Sequence, residues 1–578
     1  MSVESAIQPA QHRAWWKESS VYQIYPSSFC TLKPTPVGTL SGVASKISYI
    51  QSLGIDIVWL CPIFPSPGVD MGYDISDYLT IDPIFGNIQD VDLLIKELHH
   101  RDMKLVLDLV VNHTSDDHEW FKESKKGKEN KYRDWYVWRK GKIVDGERKP
   151  PNNWTAHFGG SAWEYDEATE EYYLHLYTTS QPDLNWENPA VRTAVHSIMR
   201  FWLSRGVDGF RMDVINYISK PQDFPDGDPK LSVHVGSEHY GVGPRLHEYL
   251  RDLGSILQEY DAFNVGEMPC VTDLGQVIKA VRHDRGELNM IFHFELHDID
   301  HGPEGKFSPK KWEMEELKRI VERWQTFMYD NGGWNALYLE NHDQPRSVNR
   351  FANASPEFAK QSAKMLATFV GCQAGTLFIY QGQELGVTNV PETWGMEEYK
   401  DIDCLNHWNS LNAKTTDRTR LSVACAEYQK KSRDNARTPM PWTSRGGFSP
   451  PGSPEPWMRM HPDNKIGVNA EDEVADPNSV FYYWASVLAA RKKFKEVLIY
   501  GDFKLVDREN PKIFAYERRS GGERVSVVCN FGQEAETWCI EDFESVAEVI
   551  LSTHDRAREY FGRKEIVLEP FEAWALSL

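Results

Sequence analysis

The stretch KLVLDLVVNH, residues 104–113, combines an apolar run with a polar end. Residues 104–111 are almost continuously apolar, and Asn112 and His113 follow directly. A run of this kind indicates a β-strand that is covered on both faces, as in a parallel sheet. The stretch therefore predicts a buried parallel strand with polar side chains at its carboxyl end.

Seven further apolar runs of similar length occur along the chain. They are VYQIYPSSF (21–29), DIVWLCPIF (56–64), GFRMDV (209–214), NVGEM (264–268), NMIFHF (289–294), ALYLENHD (336–343) and GTLFIYQGQE (375–384). Between the runs, apolar residues recur at spacings of three and four, which predicts helices. The clearest of these stretches are 41–53, 90–101, 190–204 and 309–329. Eight strand–helix repeats favour an α/β fold in which a parallel sheet closes into a (β/α)₈ TIM barrel.

Two segments interrupt this rhythm. Residues 112–187, after the third strand, are rich in Trp, Tyr, Gly and Pro and are too long for a loop, so they predict an inserted subdomain. Short alternating runs predict a C-terminal antiparallel β-sandwich domain over residues 503–578. The barrel then comprises residues 1–111 and 188–502, with a long excursion at 385–475 after the eighth strand.

Composition and charge narrow the class of protein. The chain has 578 residues and a formal net charge of −21, which argues against nucleic acid and anionic membranes as partners. No stretch of 18 residues is apolar throughout, so no membrane span is predicted. Eight scattered cysteines without CxxC spacing, and an N-terminus without a signal peptide, indicate a reduced, cytoplasmic protein. A monomer or a weak homo-oligomer is the default expectation.

Polar and charged side chains close four of the predicted strands. They are Asp108, Asn112 and His113 on the third strand, Arg211 and Asp213 on the fourth, Glu267 on the fifth, and His342 and Asp343 on the seventh. Barrel enzymes place their chemistry at the carboxyl ends of the strands. Because like charges raise the electrostatic energy when they are packed together, such a cluster of acids indicates a functional site.

Cleavage of a glycosidic bond needs two carboxyl groups in different protonation states. Arg211 lies two residues before Asp213, on the same face of the strand, and is expected to keep Asp213 ionised for attack on an anomeric carbon. Neighbouring carboxylates are expected to raise the pKa of Glu267, which suits it as the proton donor.

Three further side chains can bind the sugar itself. Asp343 can accept hydrogen bonds from two sugar hydroxyls and so favour a distorted ring. His113 and His342 can donate to hydroxyls as charge develops in the transition state.

Several motifs, in order along essentially the whole chain, support this interpretation. They are DLVVNH (108–113), GFRMDV (209–214), GEMP (266–269) and ENHDQPR (340–346). These motifs resemble the signature regions of the α-amylase superfamily, glycoside hydrolase family 13. A second set resembles its oligo-1,6-glucosidase subfamily: MGYDISDY (71–78), QPDLNW (181–186), GFRMDVINYISK (209–220), IYQGQELG (379–386) and SRDNARTPMPW (432–442).

The resemblance implies a role for each of the three acids. Asp213 matches the nucleophile of the family, Glu267 the acid/base and Asp343 the stabiliser of the transition state. The family's residues around the first sugar site correspond in this chain to Arg211, His113 and His342. The implied activity is that of a retaining α-glucosidase that acts on small oligosaccharides.

The resemblance also implies the shape of the sugar site. Asp70 and Arg433 resemble the pair that closes the site against a non-reducing glucose end, which implies exo-action. Tyr73 resembles the stacking platform, and Phe158 and Tyr177 resemble the walls of the pocket.

The residue after the nucleophile bears on linkage preference. In the resembling subfamily, Val at this position goes with α-1,6 preference and Thr with α-1,4 preference. Val214 therefore implies isomaltose-type substrates rather than maltose.

One loop departs from the pattern of many relatives, which hold calcium with an acidic loop after the first strand. Here the stretch SSFCTLKPTPVGTLSG, residues 27–42, contains no acidic residue. Calcium requires six to eight oxygen ligands, several of them carboxylates. We therefore predict no metal and no cofactor.

Other activities remain open at this point. A trehalose-6-phosphate hydrolase resembles the same motifs but would need a cationic site for the phosphate. Sucrose or maltose hydrolysis and transglucosylation are also compatible with a retaining mechanism. A different class, the membrane-anchored transporter subunits that keep the barrel and lose catalysis, has an apolar span and lacks the three carboxylates.

Overall fold

A computed structural model of the chain describes residues 12–540, 546–554, 556 and 563–578. The prediction that the chain lacks an N-terminal leader falls partly on residues 1–11, which lie outside the described part.

The strands of the described part number twenty. In chain order they are β1 (Ser20–Ile24), β2 (Ile57–Leu60), β3 (Lys104–Val110), β4 (Trp138–Arg139), β5 (Lys142–Val144), β6 (Glu147–Lys149), β7 (Trp163–Asp166), β8 (Glu171–Leu174), β9 (Gly209–Asp213), β10 (Phe263–Glu267), β11 (Met290–Phe292), β12 (Ala336–Leu337), β13 (Thr376–Tyr380), β14 (Asp502–Val506), β15 (Ile513–Ser520), β16 (Glu523–Asn530), β17 (Glu536–Cys539), β18 (Glu548–Ser552), β19 (Glu565–Leu568) and β20 (Ala573–Ser577).

Eight of these strands form one closed parallel barrel. Their order in the sheet is β11, β10, β9, β3, β2, β1, β13 and β12, and neighbouring strands run parallel. A parallel bridge between Ile291 and Asn335 joins the two ends of the sheet and closes the barrel. The predicted TIM barrel is confirmed, and each of the eight predicted strands coincides with one of these strands.

Alternate residues of the barrel strands enter two different apolar clusters, which explains the continuous apolar runs. One set fills the interior, and it includes Val21, Trp59, Val106, Val265 and Phe378. The other set faces the surrounding helices, and it includes Tyr22, Val58, Leu105, Phe210 and Leu377. Both faces of the sheet are buried, as in other α/β barrels.

The helices cover the outside of the barrel and its carboxyl end. In chain order they are α1 (Trp15–Glu18), α2 (Leu40–Ser45), α3 (Ile47–Leu53), α4 (Ile88–His99), α5 (Glu119–Lys125), α6 (Pro189–Ser204), α7 (Ser237–Tyr240), α8 (Leu246–Glu259), α9 (Leu274–Val281), α10 (Met314–Asn331), α11 (Ser347–Phe351), α12 (Ala359–Gly371), α13 (Ile402–Lys414), α14 (Arg418–Lys431), α15 (Asp434–Arg437), α16 (Ala470–Ala475), α17 (Val480–Lys493) and α18 (Lys495–Leu498). The four stretches with helical periodicity lie on α2 and α3, α4, α6 and α10.

Helix α4 illustrates how the sequence forms this outer layer. Asn87 caps the helix, and its side chain and that of Asp90 exchange hydrogen bonds with the backbone in a capping box. Val91, Leu94 and Leu98, spaced at three and four residues, form the buried face. The helix thereby packs one apolar stripe against strand β3 and helix α2.

Two smaller β-structures accompany the barrel. After β3, strands β4, β8 and β7 form an antiparallel sheet, and β5 and β6 form a hairpin. At the C-terminal end, β14, β15, β16, β20 and β18 form an antiparallel sheet, and β17 pairs with β19. The insertion after the third strand and the C-terminal antiparallel domain were both predicted. The domain boundaries at residues 112, 188 and 503 remain predictions.

Across the described ranges, no helix is both long enough and apolar enough to cross a membrane.

Candidate active site

A buried guanidinium group joins three carboxylates inside the mouth of the barrel. Arg211 donates from Nη1 to Asp108 Oδ1 at 2.7 Å and to Asp213 Oδ1 at 2.6 Å. Its Nη2 lies 2.7 Å from Glu267 Oε2. Asp213 is the last residue of β9 and Glu267 the last residue of β10, so adjacent parallel strands bring the two acids together.

Asp343 forms the third corner of the acid cluster. Its Oδ1 accepts from Arg437 Nη2 at 2.7 Å and from Arg433 Nη1 at 3.3 Å. Its Oδ2 lies 3.1 Å from His342 Nε2. The ring of Tyr73 stacks on His342, with centroids 4.9 Å apart and an interplanar angle of 9°. The three acids thus face one space, two of them from the ends of β9 and β10 and Asp343 from the segment that follows β12.

A buried ion pair lines another side of this space. Arg433 Nη2 lies 3.0 Å from Asp70 Oδ1 and 2.7 Å from Asp401 Oδ1. Gln181 donates to Asp70 Oδ2 at 3.1 Å and lies 3.3 Å from His113 Nε2. This network ties residues 70, 113, 181, 401 and 433 into one wall.

Aromatic side chains form another part of the wall. The Phe158 and Tyr177 rings meet edge to face with centroids 5.4 Å apart, and Tyr177 lies 5.2 Å from the His113 ring. The guanidinium of Arg433 lies 4.9 Å from the centroid of Phe158. These contacts hold the inserted subdomain against the ends of the barrel strands.

These walls enclose a cavity of about 920 Å³. The predicted site residues that line it are Asp70, Tyr73, His113, Phe158, Tyr177, Asp213, Val214, Glu267, Asp343 and Arg433. The other two, Arg211 and His342, lie directly behind it and bind Asp213, Glu267 and Asp343. The structure therefore brings all twelve predicted residues together, although their roles remain predictions.

Burial controls the pKa values of the two paired acids. Burial raises the pKa of Glu267 to about 8; Arg211 opposes this rise, and the negative charges of Asp213 and Asp343 add to it. Burial also raises the pKa of Asp213 to about 7, in spite of the attraction of Arg211. Arg211 opposes the rise in the pKa of Asp213 without cancelling it, and the expectation that Arg211 keeps Asp213 ionised for attack stays a prediction. When the pair holds a single proton, that proton favours Glu267 over Asp213. This is the protonation state required if Glu267 is the acid and Asp213 the nucleophile.

The other carboxylate in the cluster stays ionised. Burial alone would raise the pKa of Asp343, but His342, Arg433 and Arg437 together hold it well below its usual range. Burial lowers the pKa of His342 to about 4, so at neutral pH the two guanidinium groups are the cations that act on Asp343.

The sequence interpretation missed several residues that shape the site. Arg437 binds Asp343 and lies in the motif SRDNARTPMPW, from which only Arg433 was predicted to line the site. Asp401 and Gln181 support the Asp70–Arg433 pair. Gln181 could have been found in the motif QPDLNW, whereas nothing near Asp401 in the sequence indicates its partner.

A buried lysine also joins the inserted subdomain to the barrel. Lys220 Nζ donates to Asn112 Oδ1 at 2.9 Å and to the Tyr217 carbonyl at 2.7 Å, and lies 2.8 Å from Asp183 Oδ2. Asn112 precedes His113, and Asp183 follows Gln181 closely. The ammonium group therefore fixes two segments that form the wall of the site.

A Lys220→Met variant should be markedly less stable. Removal of one partner from a buried ion pair costs about 3–5 kcal/mol, because the other charge stays buried. We expect a lower midpoint of thermal unfolding. A second substitution, Asp183→Asn, removes the orphaned charge and should restore part of the midpoint. A midpoint unchanged in the single variant would contradict this account of the contact.

Metal binding can be tested directly. In the part of the chain that the structure describes, no group of three or more His, Cys, Asp or Glu side chains is arranged to hold a metal ion. We expect the activity and the thermal midpoint to be the same before and after dialysis against EDTA. Loss of either property, with recovery on addition of calcium, would overturn the prediction of a metal-free enzyme.

Comparison with known proteins agrees with the geometry. The family model described as "Alpha amylase, catalytic domain" matches residues 23–501. The chain is 46% identical to an α-glucosidase of Schizosaccharomyces pombe, over 98% of each chain. It is 46% identical to an oligo-1,6-glucosidase of Halalkalibacterium halodurans, over 97% of this chain and 98% of the relative. The crystal structure of Bacillus licheniformis trehalose-6-phosphate hydrolase superimposes with a TM-score of 0.90, at 39% identity, over 98% of this chain and 100% of that one.

The chain therefore belongs to the α-amylase family, glycoside hydrolase family 13, and is a glycoside hydrolase of the α-glucosidase type.

Proposed function

We propose that this protein is an exo-acting, retaining α-glucosidase that releases non-reducing terminal glucose from α-1,6-linked, isomaltose-type oligosaccharides. The observation that carries the proposal is the guanidinium of Arg211, which binds Asp213 and Glu267 at 2.6 and 2.7 Å. A retaining mechanism needs two carboxyl groups about 5–5.5 Å apart, and a shared guanidinium suits such a spacing.

The first half of the reaction uses both acids. Asp213 Oδ attacks the anomeric carbon while Glu267 transfers its proton to the glycosidic oxygen, so the bond to the leaving sugar breaks as the bond to Asp213 forms. The leaving sugar departs as a neutral alcohol. Asp343, ionised by its two arginine partners, accepts hydrogen bonds from hydroxyls of the bound glucose and favours its distorted ring.

The second half reverses the roles of the acid/base. Glu267, now ionised, takes a proton from a water molecule, which attacks the anomeric carbon and breaks the ester to Asp213. Glucose leaves with the α configuration, and Glu267 is protonated again. A sugar hydroxyl can replace the water, which gives transglucosylation at high sugar concentration.

The closed wall supports exo-action. Asp70 and Arg433 are both about 95% buried, and their ion pair forms part of the cavity wall beside Asp343. A chain that continued past the non-reducing glucose would have to displace this pair and its contacts to Asp401 and Gln181. We therefore expect one glucose per cleavage.

The charge of the cavity favours a neutral leaving group over a phosphorylated one. The two lysines among the described residues that line the cavity are Lys306 and Lys431, and each is paired with a carboxylate. Lys306 binds Asp403, and Lys431 Nζ lies 2.7 Å from Asp300 Oδ1. A sugar phosphate would have to compete with these carboxylates, so trehalose-6-phosphate is a poor candidate substrate.

Val214 supports the linkage preference. Its side chain is 95% buried and lines the cavity beside the acid pair. An α-1,6-linked leaving sugar is joined through an apolar CH₂ group, which can pack against the Val methyl groups. An α-1,4-linked sugar places polar ring hydroxyls there, and a hydroxyl buried without a partner is costly.

A Val214→Thr variant should shift the preference toward maltose. We expect the ratio of kcat/KM for isomaltose to that for maltose to fall about tenfold or more, the usual effect of one changed contact in a pocket. The control is p-nitrophenyl α-glucoside, whose aryl leaving group makes neither contact and whose kcat/KM should change little. A ratio that stays the same would remove Val214 from the account of specificity.

The proposed function is tested by a panel of substrates with identified products. It comprises isomaltose, panose, maltose, sucrose, trehalose and trehalose-6-phosphate. We expect the highest kcat/KM on isomaltose and panose, with glucose released from the non-reducing end. Preference for maltose, sucrose or trehalose-6-phosphate would replace this specificity with one of the alternatives.

A further inference from the structure

The backbone of Val214 adopts a conformation that β-branched residues rarely take. Its φ is 34° and its ψ 43°, in the left-handed region. In that region Cβ crowds the following carbonyl, and for a β-branched residue the crowding is severe. Val214 directly follows Asp213 and precedes a short 3₁₀ turn at Ile215–Ile218. Strain of this kind beside an acid pair points to a role for the backbone itself.

The strained turn directs an amide group at the neighbouring acid. The backbone N–H of Val214 donates to Glu267 Oε2 at 3.2 Å. The same oxygen lies 2.7 Å from Arg211 Nη2. Within the described part of the chain, no hydrogen bond reaches the other oxygen, Oε1.

We infer that the Val214 backbone amide is a positioning group that holds the transferable proton of Glu267 on Oε1. The inference rests on the proposed role of Glu267 as acid/base. A carboxylic acid has one protonated oxygen and one accepting oxygen. The Val214 N–H donates to Oε2 and the positive guanidinium of Arg211 lies against the same oxygen, so Oε2 is the acceptor and the proton lies on Oε1, the oxygen left free for the glycosidic oxygen.

The remaining groups around Glu267 tune its charge but do not select an oxygen in this way. The titratable groups that face it are Arg211, Asp213, Asp108, Asp343, Tyr177 and Tyr338. Arg211 favours the ionised form, the three aspartates favour the protonated form, and the two buried phenols have pKa values raised well above the usual range. The Val214 amide is the neutral donor in this set, and it also favours the ionised form.

Removal of this one N–H group tests the inference. Nonsense suppression with α-hydroxyisovaleric acid at position 214 replaces the amide with an ester and keeps the side chain. We expect the alkaline limb of the kcat/KM profile for p-nitrophenyl α-glucoside to move up by about one pH unit, since a hydrogen bond to a charged group is lost. We also expect kcat to fall about tenfold while KM stays close to that of the wild type.

The matched control makes the same ester change at Val235. The backbone N–H of Val235 donates to Thr155 Oγ1 at 2.9 Å, so this substitution also removes one hydrogen bond from a valine amide to a side chain. Within the residues that the structure describes, Val235 forms no hydrogen bond with Glu267, and its ester variant should keep the pH profile of the wild type. An equal shift in both variants would overturn the inference.

A titration that does not need activity separates this inference from the proposed function. In protein labelled with [5-¹³C]glutamate, the Glu267 carboxyl resonance is assigned by its loss in Glu267→Gln. Its midpoint should be higher in the Val214 ester variant than in the wild type. An unchanged midpoint overturns the inference, whereas a wild type that does not hydrolyse α-glucosides overturns the proposed function.

The strained turn has its own test. Glycine accepts a left-handed φ without strain and alanine does not, so Val214→Gly should unfold at a higher temperature than Val214→Ala. Neither variant retains the valine methyl groups, and the strain of alanine at this φ outweighs the extra freedom that glycine has in the unfolded chain. A Val214→Gly midpoint at or below that of Val214→Ala would show that the amide is not held in this direction, and would overturn the inference.

Discussion

An Asp213→Asn variant should lose about 10⁴–10⁶-fold in kcat/KM on every α-glucoside, the range seen when a nucleophile is removed. The amide oxygen is a poor nucleophile and cannot form a stable ester with the anomeric carbon. The substitution keeps the shape of the side chain, and Arg211 retains its contacts with Asp108 and Glu267. The expected result is therefore a folded protein that binds substrate and does not turn it over.

The control for this variant lies at the opposite end of the same strand. Asp208 precedes β9, where its carboxylate accepts from the Leu105 backbone and from His99. Asp208→Asn should shift the thermal midpoint and leave kcat/KM close to that of the wild type. A loss of activity in Asp208→Asn as large as that in Asp213→Asn would indicate damage to the strand rather than loss of a nucleophile.

A Glu267→Gln variant should depend strongly on the leaving group. On isomaltose, which needs a proton on the departing sugar, we expect kcat/KM to fall about 10²–10⁴-fold, the usual contribution of general acid catalysis. α-Glucosyl fluoride leaves as fluoride ion without that proton, so its first step should remain fast while the glucosyl-enzyme accumulates. A burst of fluoride release followed by a slow steady state is the measurement that checks this.

The pH dependence of kcat/KM in the wild type is the reference for the Glu267→Gln variant. Because burial raises the pKa of Glu267 to about 8, kcat/KM on isomaltose should fall as the pH rises through that value and the acid loses its proton. It should fall again on the acid side, as Asp213, with its pKa raised to about 7, takes up a proton. In Glu267→Gln the alkaline limb should disappear from the residual activity on isomaltose. If it persists unchanged, another group supplies the proton.

The sequence predicted the barrel well because its signal is local. Each barrel strand is buried on both faces, so an apolar run marks it without reference to the rest of the chain. The predicted lengths of the strands were less accurate. The apolar run 336–343 predicted eight residues, whereas β12 contains only Ala336 and Leu337. The residues after Leu337 leave the ladder, and they carry His342 and Asp343 into the cavity.

The candidate site could be predicted where its residues lie at strand ends or in short motifs. Asp401, Arg437 and Lys220 act through partners that are distant in the chain, such as Arg433, Asp343 and Asp183. No spacing or periodicity reports such pairs. Helix α14 was also not predicted, since its exposed surface leaves only Ala424, Tyr428 and Lys431 buried and gives a weak apolar stripe.

The pKa values of the Asp213–Glu267 pair also could not be predicted from the sequence. The position of Arg211 two residues before Asp213 indicated the ion pair correctly. The extent of burial decides how much that pair lowers the pKa, and burial depends on the inserted subdomain and on the excursion after β13. At Asp213 burial raises the pKa and Arg211 lowers it, and the extent of burial follows from the assembled site rather than from the spacing of the two residues.

The central claim is that Asp213 attacks the anomeric carbon to form a covalent glucosyl-enzyme. Incubation with 5-fluoro-α-D-glucosyl fluoride, followed by peptide mass spectrometry, measures this directly. The account predicts a fluoroglucosyl group on the peptide that contains Asp213, attached to that side chain. A label on a different residue, or no label while the reagent is still hydrolysed, would contradict it.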